Sequence, residues 1–378
     1  MDFFLTEEQE AMRRTARKFA EKEIVPVAGE LDEKDEFPTD IVSKLFDVGL
    51  LTIGVPEEFG GPGADSISQA LVCEEIAWGD AGIATTLAAN CLLASNPVAV
   101  AGTQAQKEWF YNFLNQGKLA AFCQTEPGAG SDVAGITTTA KRDGDYYILN
   151  GTKQFITNGG VADVYTVLAT MDKSLKHKSM VGFMVDRNTP GVSVSKKENK
   201  MGIRTSDTTQ VIFEDVKVPV ANRLGEEGEG FKIFMQALDM SRPMVASLAL
   251  GVAQAAYDAA LAYAKDRVAF GKPIATFQAI QFMLADMIMN IEASRLLILK
   301  SCALKDAGKP YTLFASMAKC FAADAGMKIA TDAVQILGGY GYVKEYPVEK
   351  FMRDAKIMQI YEGTSQIQRV VIAGHILK

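Results

Sequence analysis

One carboxylate near the C-terminus stands where a base would be useful. Glu362 follows Ile360-Tyr361 and precedes Gly363-Thr364-Ser365. Apolar surroundings disfavour the charged form of a carboxyl group and raise its pKa, so such a residue can take a proton near neutral pH. Gly363 lets a ligand approach the backbone, and free N–H groups beside it could polarise a carbonyl. The plainer reading of an acid before Gly-Thr-Ser is a helix start, because such residues suit caps and first turns.

Three further stretches could meet a ligand. Thr125-Glu126-Pro127-Gly128-Ala129-Gly130-Ser131-Asp132 carries half of a dinucleotide fingerprint. Val133 replaces the third glycine, and strands rather than a helix follow, which argues against a Rossmann turn. As a loop of backbone donors and hydroxyls it could embrace a flat heterocycle or a pyrophosphate, or be a plain turn. Gln335-Ile336-Leu337-Gly338-Gly339-Tyr340-Gly341-Tyr342 ends a helical pattern, where glycines suit a C-cap and also admit a phosphate-bearing ligand. Arg267-Val268-Ala269-Phe270-Gly271-Lys272-Pro273 sets positive charge at another helix end, suited to the macrodipole or to phosphate.

Composition narrows the alternatives. The 378 residues suggest two or three domains, with 48% hydrophobic and 22% charged residues. A net charge of −7 argues against an electrostatic nucleic-acid binder. No uninterrupted apolar run reaches the roughly 18 residues of a spanning segment, so no membrane association is expected. The acidic start Met1-Asp2-Phe3-Phe4-Leu5-Thr6-Glu7-Glu8 resembles neither a signal nor a transit peptide. A bacterial cytoplasmic setting is expected ahead of a processed mitochondrial matrix protein. Cys73, Cys91, Cys123, Cys302 and Cys320 are odd in number and widely spaced, which indicates neither disulfides nor a metal site. His177 lies in a lysine-rich loop and His375 near the end, leaving no histidine suited to a Ser-His-Asp triad.

The elements that must position these residues fall into three textures. Thr6-x-x-Gln9 reads as a capping box opening a helix that Pro26 closes. Further helices are expected from Thr39, over 66–79 and 82–101, and around Gln104–Asn115. From Phe122 to Val218, runs at Tyr146–Leu149, Gln154–Thr157, Val164–Ala169, Met180–Val185 and Gln210–Val218 alternate with turns. No helix separates them, which favours an antiparallel sheet or barrel over a βαβ array. Helices return over 242–268, 277–305 and Leu313–Leu337, the second apolar on more than one face as in a bundle or subunit contact. The fold class is α+β, with an N-terminal helical domain over 1–117, a central β domain over 118–224 and a C-terminal helical bundle over 225–378.

Together the motifs carry a resemblance. Thr125–Asp132, Asn150-Gly151-Thr152-Lys153-Gln154-Phe155-Ile156-Thr157-Asn158-Gly159, Arg267–Lys272, Gln335–Gly339 and Tyr361–Arg369 stand in the order and spacing of the acyl-CoA dehydrogenases. The chain resembles that family over essentially its whole length, nearest to its short- and medium-chain straight-chain enzymes. The resemblance implies a central antiparallel β-barrel or sandwich, a C-terminal four-helix bundle, and a homotetramer built as a dimer of dimers. It implies FAD held by Phe122, Cys123, Thr125, Ser131, Phe155, Ile156 and Thr157, with Thr364 and Gln366 also touching it. Arg267, Phe270, Gln278, Gln335, Gly338 and Gly339 would meet the cofactor's adenine and pyrophosphate from a neighbouring subunit. Ser131, Asp239, Arg242, Tyr361 and Gly363 would line the acyl-CoA path.

The implied reaction is α,β-dehydrogenation of an acyl-CoA thioester to the trans-2-enoyl-CoA. Glu362 would take the α-proton, the β-hydrogen would leave as hydride to flavin N5, and electrons would pass to an electron-transfer flavoprotein. The backbone N–H of Glu362 would help hold the thioester oxygen. Phe155 stands where many relatives place Trp, which keeps an aromatic there. The small Leu87-Ala88-Ala89-Asn90-Cys91-Leu92 stretch leaves acyl length and shape open. Two rival readings are an enoyl-CoA reductase fed by reduced electron-transfer flavoprotein, and a non-catalytic helical binding or scaffold protein that retains a flavin pocket.

Overall fold

The first helix, α1 (Glu7–Phe19), opens as its sequence predicts. Thr6 Oγ1 accepts the Gln9 N–H at 3.2 Å, and Gln9 Oε1 accepts the Thr6 N–H at 3.0 Å. Pro26 does not close it. The chain runs through a π-helical turn, Ala20–Ile24, directly into α2 (Val25–Lys34). The wide turn places Pro26 in the first turn of α2, where a missing N–H and a ring are both tolerated. The computed structural model describes residues 4–377; Met1–Phe3 of the acidic N-terminus and Lys378 lie outside it. The helical first part continues through α3 (Thr39–Asp47), α4 (Ser66–Gly79), α5 (Ala81–Ala89), α6 (Asn96–Ala101) and α7 (Gln104–Leu114).

The β region holds β1 (Ala120–Cys123), β2 (Thr139–Asp143), β3 (Tyr146–Thr157), β4 (Val164–Thr170), β5 (Met180–Asp186), β6 (Val192–Val194), β7 (Thr208–Pro219) and β8 (Arg223–Leu224). Their order is β6-β7-β3-β2-β4-β5-β8, with β1 also on β4. Most pairs are antiparallel, but β4 runs parallel to both β1 and β2, so the sheet is mixed. The two runs expected at Tyr146–Leu149 and Gln154–Thr157 are one strand. Irregularities between Leu149 and Gly151 and between Lys153 and Ile156 explain the broken pattern, because a bulge resets the alternation of side chains.

The last part is α8 (Gly230–Asp266), a hairpin of β9 (Val268–Ala269) and β10 (Lys272–Pro273), then α9 (Gln278–Asp306), α10 (Thr312–Leu337), α11 (Val348–Met358) and α12 (Ser365–Ile376). Helix α8 begins twelve residues earlier than periodicity suggested. Its first turns bury Ile233, Phe234, Ala237 and Leu238, the first two in a cluster with Leu168 and Met180 of the β region, an apolar face that the preceding glycine-rich run obscures. The stretches Ala81–Ala101 and Gly230–Asp266 are long and apolar enough to cross a bilayer, yet 89% and 72% of their most apolar windows lie buried inside the protein. Their apolarity builds the core.

A buried charge cluster ties the three parts together. Lys350 on α11 donates to Asp80 at 2.7 Å and to Asp354 at 2.6 Å. Asp80 caps α5 through the Ile83 N–H and accepts the Thr205 hydroxyl, while Asp354 accepts the Ile203 N–H at 2.5 Å. Burial works against the Lys350 charge, but the carboxylates of Asp354 and Asp80 outweigh it and hold its pKa above the ordinary value. Truncating one partner strands the others without compensation. Lys350→Met is expected to cost about 3–5 kcal/mol in denaturant unfolding; a loss under about 1 kcal/mol, the scale of a surface pair, would contradict this.

Candidate active site

Glu362 lies in the short turn between α11 and α12. Helix α11 presents Val348, Ala355 and Met358 to the core, and Thr364 caps α12 by accepting the Ile367 N–H at 3.1 Å. The helix-start role considered for the acid therefore falls to Thr364. Glu362 has φ +51 and Gly363 has φ +89. A left-handed backbone costs a residue bearing a Cβ about 1–2 kcal/mol, and it persists only where the surroundings over-determine it. Here the Gln368 amide donates to the carbonyls of Glu362 at 3.2 Å and Gly363 at 3.1 Å. The Lys319 ammonium, fully buried on α10, donates to the Gly363 carbonyl at 2.7 Å. A Cβ at position 363 would stand 2.7 Å from Gln368 Nε2 and push that amide from its bonds, and the left-handed φ itself favours glycine there. Farther along α10, Asp324 accepts from Gln359 at 2.8 Å, Ser365 at 2.9 Å and Arg369 at 2.6 Å.

Glu362 is half-buried as a residue, and burial dominates the titration of its carboxyl group. Burial pushes it above the ordinary value; the Ser241 hydroxyl, the Lys319 ammonium and the Arg242 guanidinium act in the opposite direction. Ser241, on α8, donates to Glu362 Oε2. Arg242 beside it is 5% exposed, bonded to Asp239 and, at 3.4 Å, to Ser316; Asp239 also accepts the Thr312 hydroxyl at 2.8 Å. The Tyr361 hydroxyl donates to Met358 Sδ at 3.0 Å and lies 3.4 Å from Thr85 Oγ1, and burial pushes its pKa up. Among the described residues no acceptor is bonded to the Glu362 N–H. Glu362, Gly363, Tyr361, Asp239 and Arg242 thus form one neighbourhood; Ser131 is exposed on its loop, and among the described residues no hydrogen bond joins it to Glu362.

A second neighbourhood joins the Thr125–Asp132 loop to the end of β3. The Gln154 N–H donates to the Thr125 carbonyl at 2.8 Å. Fully buried Lys153 donates to the Gln124 carbonyl at 3.1 Å and to Glu126 Oε1 at 2.8 Å. Glu126 also accepts the N–H and hydroxyl of Thr137 and the N–H of Thr138. Burial alone would raise the Glu126 pKa, but Lys153 and these donors hold the carboxyl down at about 2. The bulge at Lys153/Ile156 gives Phe155 a φ of +56 and turns its ring outward, 63% exposed, while Ile156 points into the core. Thr157 is half-buried. Phe122 packs on Phe234 of α8 at 4.9 Å between ring centroids. Cys123 is fully buried. A Cβ built at Gly128 or Gly130 meets nothing within 4 Å. An exposed ring thus stands on the strand tied to a loop bordered by open space.

The third group lies at the far end of α10. Arg267, Gly338 and Gly339 line a cavity of about 510 Å³ with Tyr263, Ile274 and Tyr340. Phe270, at the β9–β10 turn with φ +54, is 95% exposed. Gln278 and Gln335 are exposed at the first residue of α9 and in the last turn of α10; Gln366 is exposed on α12. At about 1.5 Å of rise per residue, the stretch of α10 from Lys319 to Leu337 spans about 27 Å. The Arg267 group is therefore remote from the Glu362 turn within one chain.

Sequence reasoning did not single out Ser241, Lys319, Glu126 or Asp324 as site residues. Lys319 carries a readable signal: it interrupts Ala315, Ala318, Ala322 and Ala323 on the core face of a helix, where a lysine needs a specific acceptor. Asp324, five residues on, carries no comparable signal.

Comparison with known proteins matches this arrangement. Residues 6–118, 121–216 and 228–377 match the N-terminal, middle and C-terminal domains of acyl-CoA dehydrogenase. The short-chain-specific acyl-CoA dehydrogenase of Megasphaera elsdenii is 49% identical over 383 residues, covering 100% of each chain. A chain from structural work on the electron transferring flavoprotein of Acidaminococcus fermentans and flavin-based electron bifurcation is 47% identical, with a TM-score of 0.98 over 100% of each chain. An acyl-CoA dehydrogenase complexed with FAD from Bacillus anthracis is 34% identical, with a TM-score of 0.92 over 99% of this chain and 67% of the other. The chain belongs to the acyl-CoA dehydrogenase family.

Proposed function

We propose that this protein dehydrogenates a short acyl-CoA thioester to its trans-2-enoyl-CoA, with Glu362 as the base that removes the α-proton. The observation that carries the reading is a carboxylate of raised pKa, fixed in a strained turn with an unengaged backbone N–H beside it. A base with its pKa brought towards neutrality is better matched to a weakly acidic α-C–H than an ordinary surface carboxylate. The short acyl group rests on the relatives named as short-chain enzymes.

FAD is the cofactor of this family, and the residues fit it. Phe155 offers an exposed aromatic face, the Thr125–Ser131 loop offers backbone donors beside open space, and Arg267 with Gly338 and Gly339 offers a cationic cavity for a pyrophosphate. When bound, FAD supplies the acceptor for the β-hydrogen and its electron pair, and the electrons then leave to an electron-transfer flavoprotein. The protein's own groups do the rest. Glu362 Oε takes the α-proton while its N–H supports the charge that develops on the thioester oxygen. Ser241 fixes the carboxylate's orientation. Asp239 and Arg242, bonded to each other and tied to α10 by Thr312 and Ser316 respectively, line the path of the acyl-CoA. The buried Lys153–Glu126 pair holds the flavin loop against the strand bearing Phe155.

The distance along α10 argues that one chain does not complete a cofactor site, which supports a homotetramer in which a neighbouring subunit contributes the Arg267 group. Phe282, Met289 and Leu296 on α9 are 60%, 60% and 52% exposed at a spacing of seven residues, the pattern of a helix seam. The Acidaminococcus relative, from work on electron bifurcation, gives weight to a second reading in which the same residues run the reaction as an enoyl-CoA reduction. The bacterial relatives favour a bacterial cytoplasm as its setting.

Glu362→Gln is expected to retain FAD and bind butyryl-CoA while slowing anaerobic flavin bleaching about a thousand-fold; bleaching at the wild-type rate would refute the base assignment. Ser241→Ala removes a donor that favours the anion, so the acid limb of the pH–rate profile should move to higher pH; a limb moving to lower pH would contradict the role given to Ser241. Phe282→Asp combined with Met289→Asp should lower the sedimentation mass below that of the wild-type oligomer, and an unchanged mass would remove α9 from the subunit contact.

A further inference from the structure

Lys319 is a cation with no surface exposure, on a helix whose neighbouring core positions are Ala315, Ala318, Ala322 and Ala323. Burying an ammonium is expensive unless its donors and charge are both met, so such a residue has a specific task. Among the described residues its one hydrogen-bond acceptor is the Gly363 carbonyl, at 2.7 Å, in the peptide unit directly after Glu362. That contact alone would be served by a neutral amide. The charge must be answered by something else, and the group that opposes the effect of burial on Lys319 most is Glu362.

We propose that Lys319 is a positioning residue for the reaction described above: its ammonium both clamps the left-handed Glu362-Gly363 turn and keeps the Glu362 carboxylate anionic before substrate is engaged. The inference rests on Glu362 being the base. The charged and titratable surroundings are few. From α8 come Arg242, itself bonded to Asp239, and the Ser241 hydroxyl; from α4, Cys73; from the turn itself, Tyr361. Around Lys319 stand Glu362 and Asp324 as acids, Cys320, and Arg242 as the like charge. Asp324 already accepts from Gln359, Ser365 and Arg369, and Arg242 is bonded to Asp239. Of the two cations that act on Glu362, Lys319 is therefore the one not bonded to a carboxylate of its own. Burial draws it down to about 8, with Glu362 the largest opposing influence, so its charge is retained at neutral pH. Removing that charge leaves Ser241 and Arg242 to oppose the burial of the carboxylate.

The test uses the FAD-loaded protein with Lys319→Gln, which can still donate to the Gly363 carbonyl without charge, and Lys319→Met, which can do neither. The protonated Glu362 carboxyl is followed by infrared difference spectroscopy against pH, its band assigned by its loss in Glu362→Gln. Lys319→Gln is expected to move the titration midpoint of that band up by about one pH unit. Flavin reduction at a pH below the new midpoint should slow about tenfold, with little change in the KM for butyryl-CoA. A midpoint in Lys319→Gln equal to that of the wild type would overturn the proposal, and a rise in KM alone would do the same. Should Lys319→Met not fold, Lys319→Met with Glu362→Gln is expected to fold, because the carboxylate that Lys319 helped to balance is gone; failure of that rescue also counts against it. If Glu362→Gln itself bleaches normally, the base assignment is what fails. If Glu362→Gln is inactive while Lys319→Gln titrates as the wild type does, only the role of Lys319 fails.

Discussion

A carboxylate can stay anionic inside a protein only if charge and hydrogen-bond donors replace the water it has lost. The region around Glu362 is organised by that constraint. Helix α8 supplies the Ser241 hydroxyl and the Arg242 guanidinium, and α10 supplies Lys319 and, farther along, the Asp324 hub that gathers Gln359, Ser365 and Arg369. These contacts also hold a backbone conformation that a glutamate would otherwise leave. The strain and the raised pKa therefore have one origin: two long helices and the α11–α12 turn packed closely enough to fix both.

The β region contributes by a different device. A bulge turns Phe155 out of the sheet, and the buried Lys153–Glu126 pair fastens the neighbouring loop to that strand. Both arrangements place a buried lysine behind the working surface. In each, the ammonium meets a backbone carbonyl in or beside the loop it supports, from the buried side. Loops held from behind in this way can present backbone groups without losing their shape.

Much of this was legible in the sequence. The α, β, α order followed from hydrophobic period and turn residues, and Glu362, Tyr361, Gly363, Asp239 and Arg242 do share one neighbourhood. What was not legible has physical causes. Pro26 sits inside continuous helical structure because a π turn absorbs it, and local propensity does not report such a turn. β3 was read as two runs because its bulges break the period of two. The parallel pairing of β1 with β4 is a non-local choice that no strand pattern encodes. Lys319 was hidden because its meaning depends on a carbonyl 44 residues away in the chain.

The central claim, that Glu362 moves the α-proton, is tested most directly by proton exchange rather than by turnover. In heavy water, an acyl-CoA analogue that cannot lose its β-hydrogen should exchange an α-proton for deuterium on the wild-type protein, as followed by NMR or mass spectrometry. The account predicts that Glu362→Gln abolishes this exchange while still binding the analogue. Exchange at the wild-type rate in that variant would contradict it.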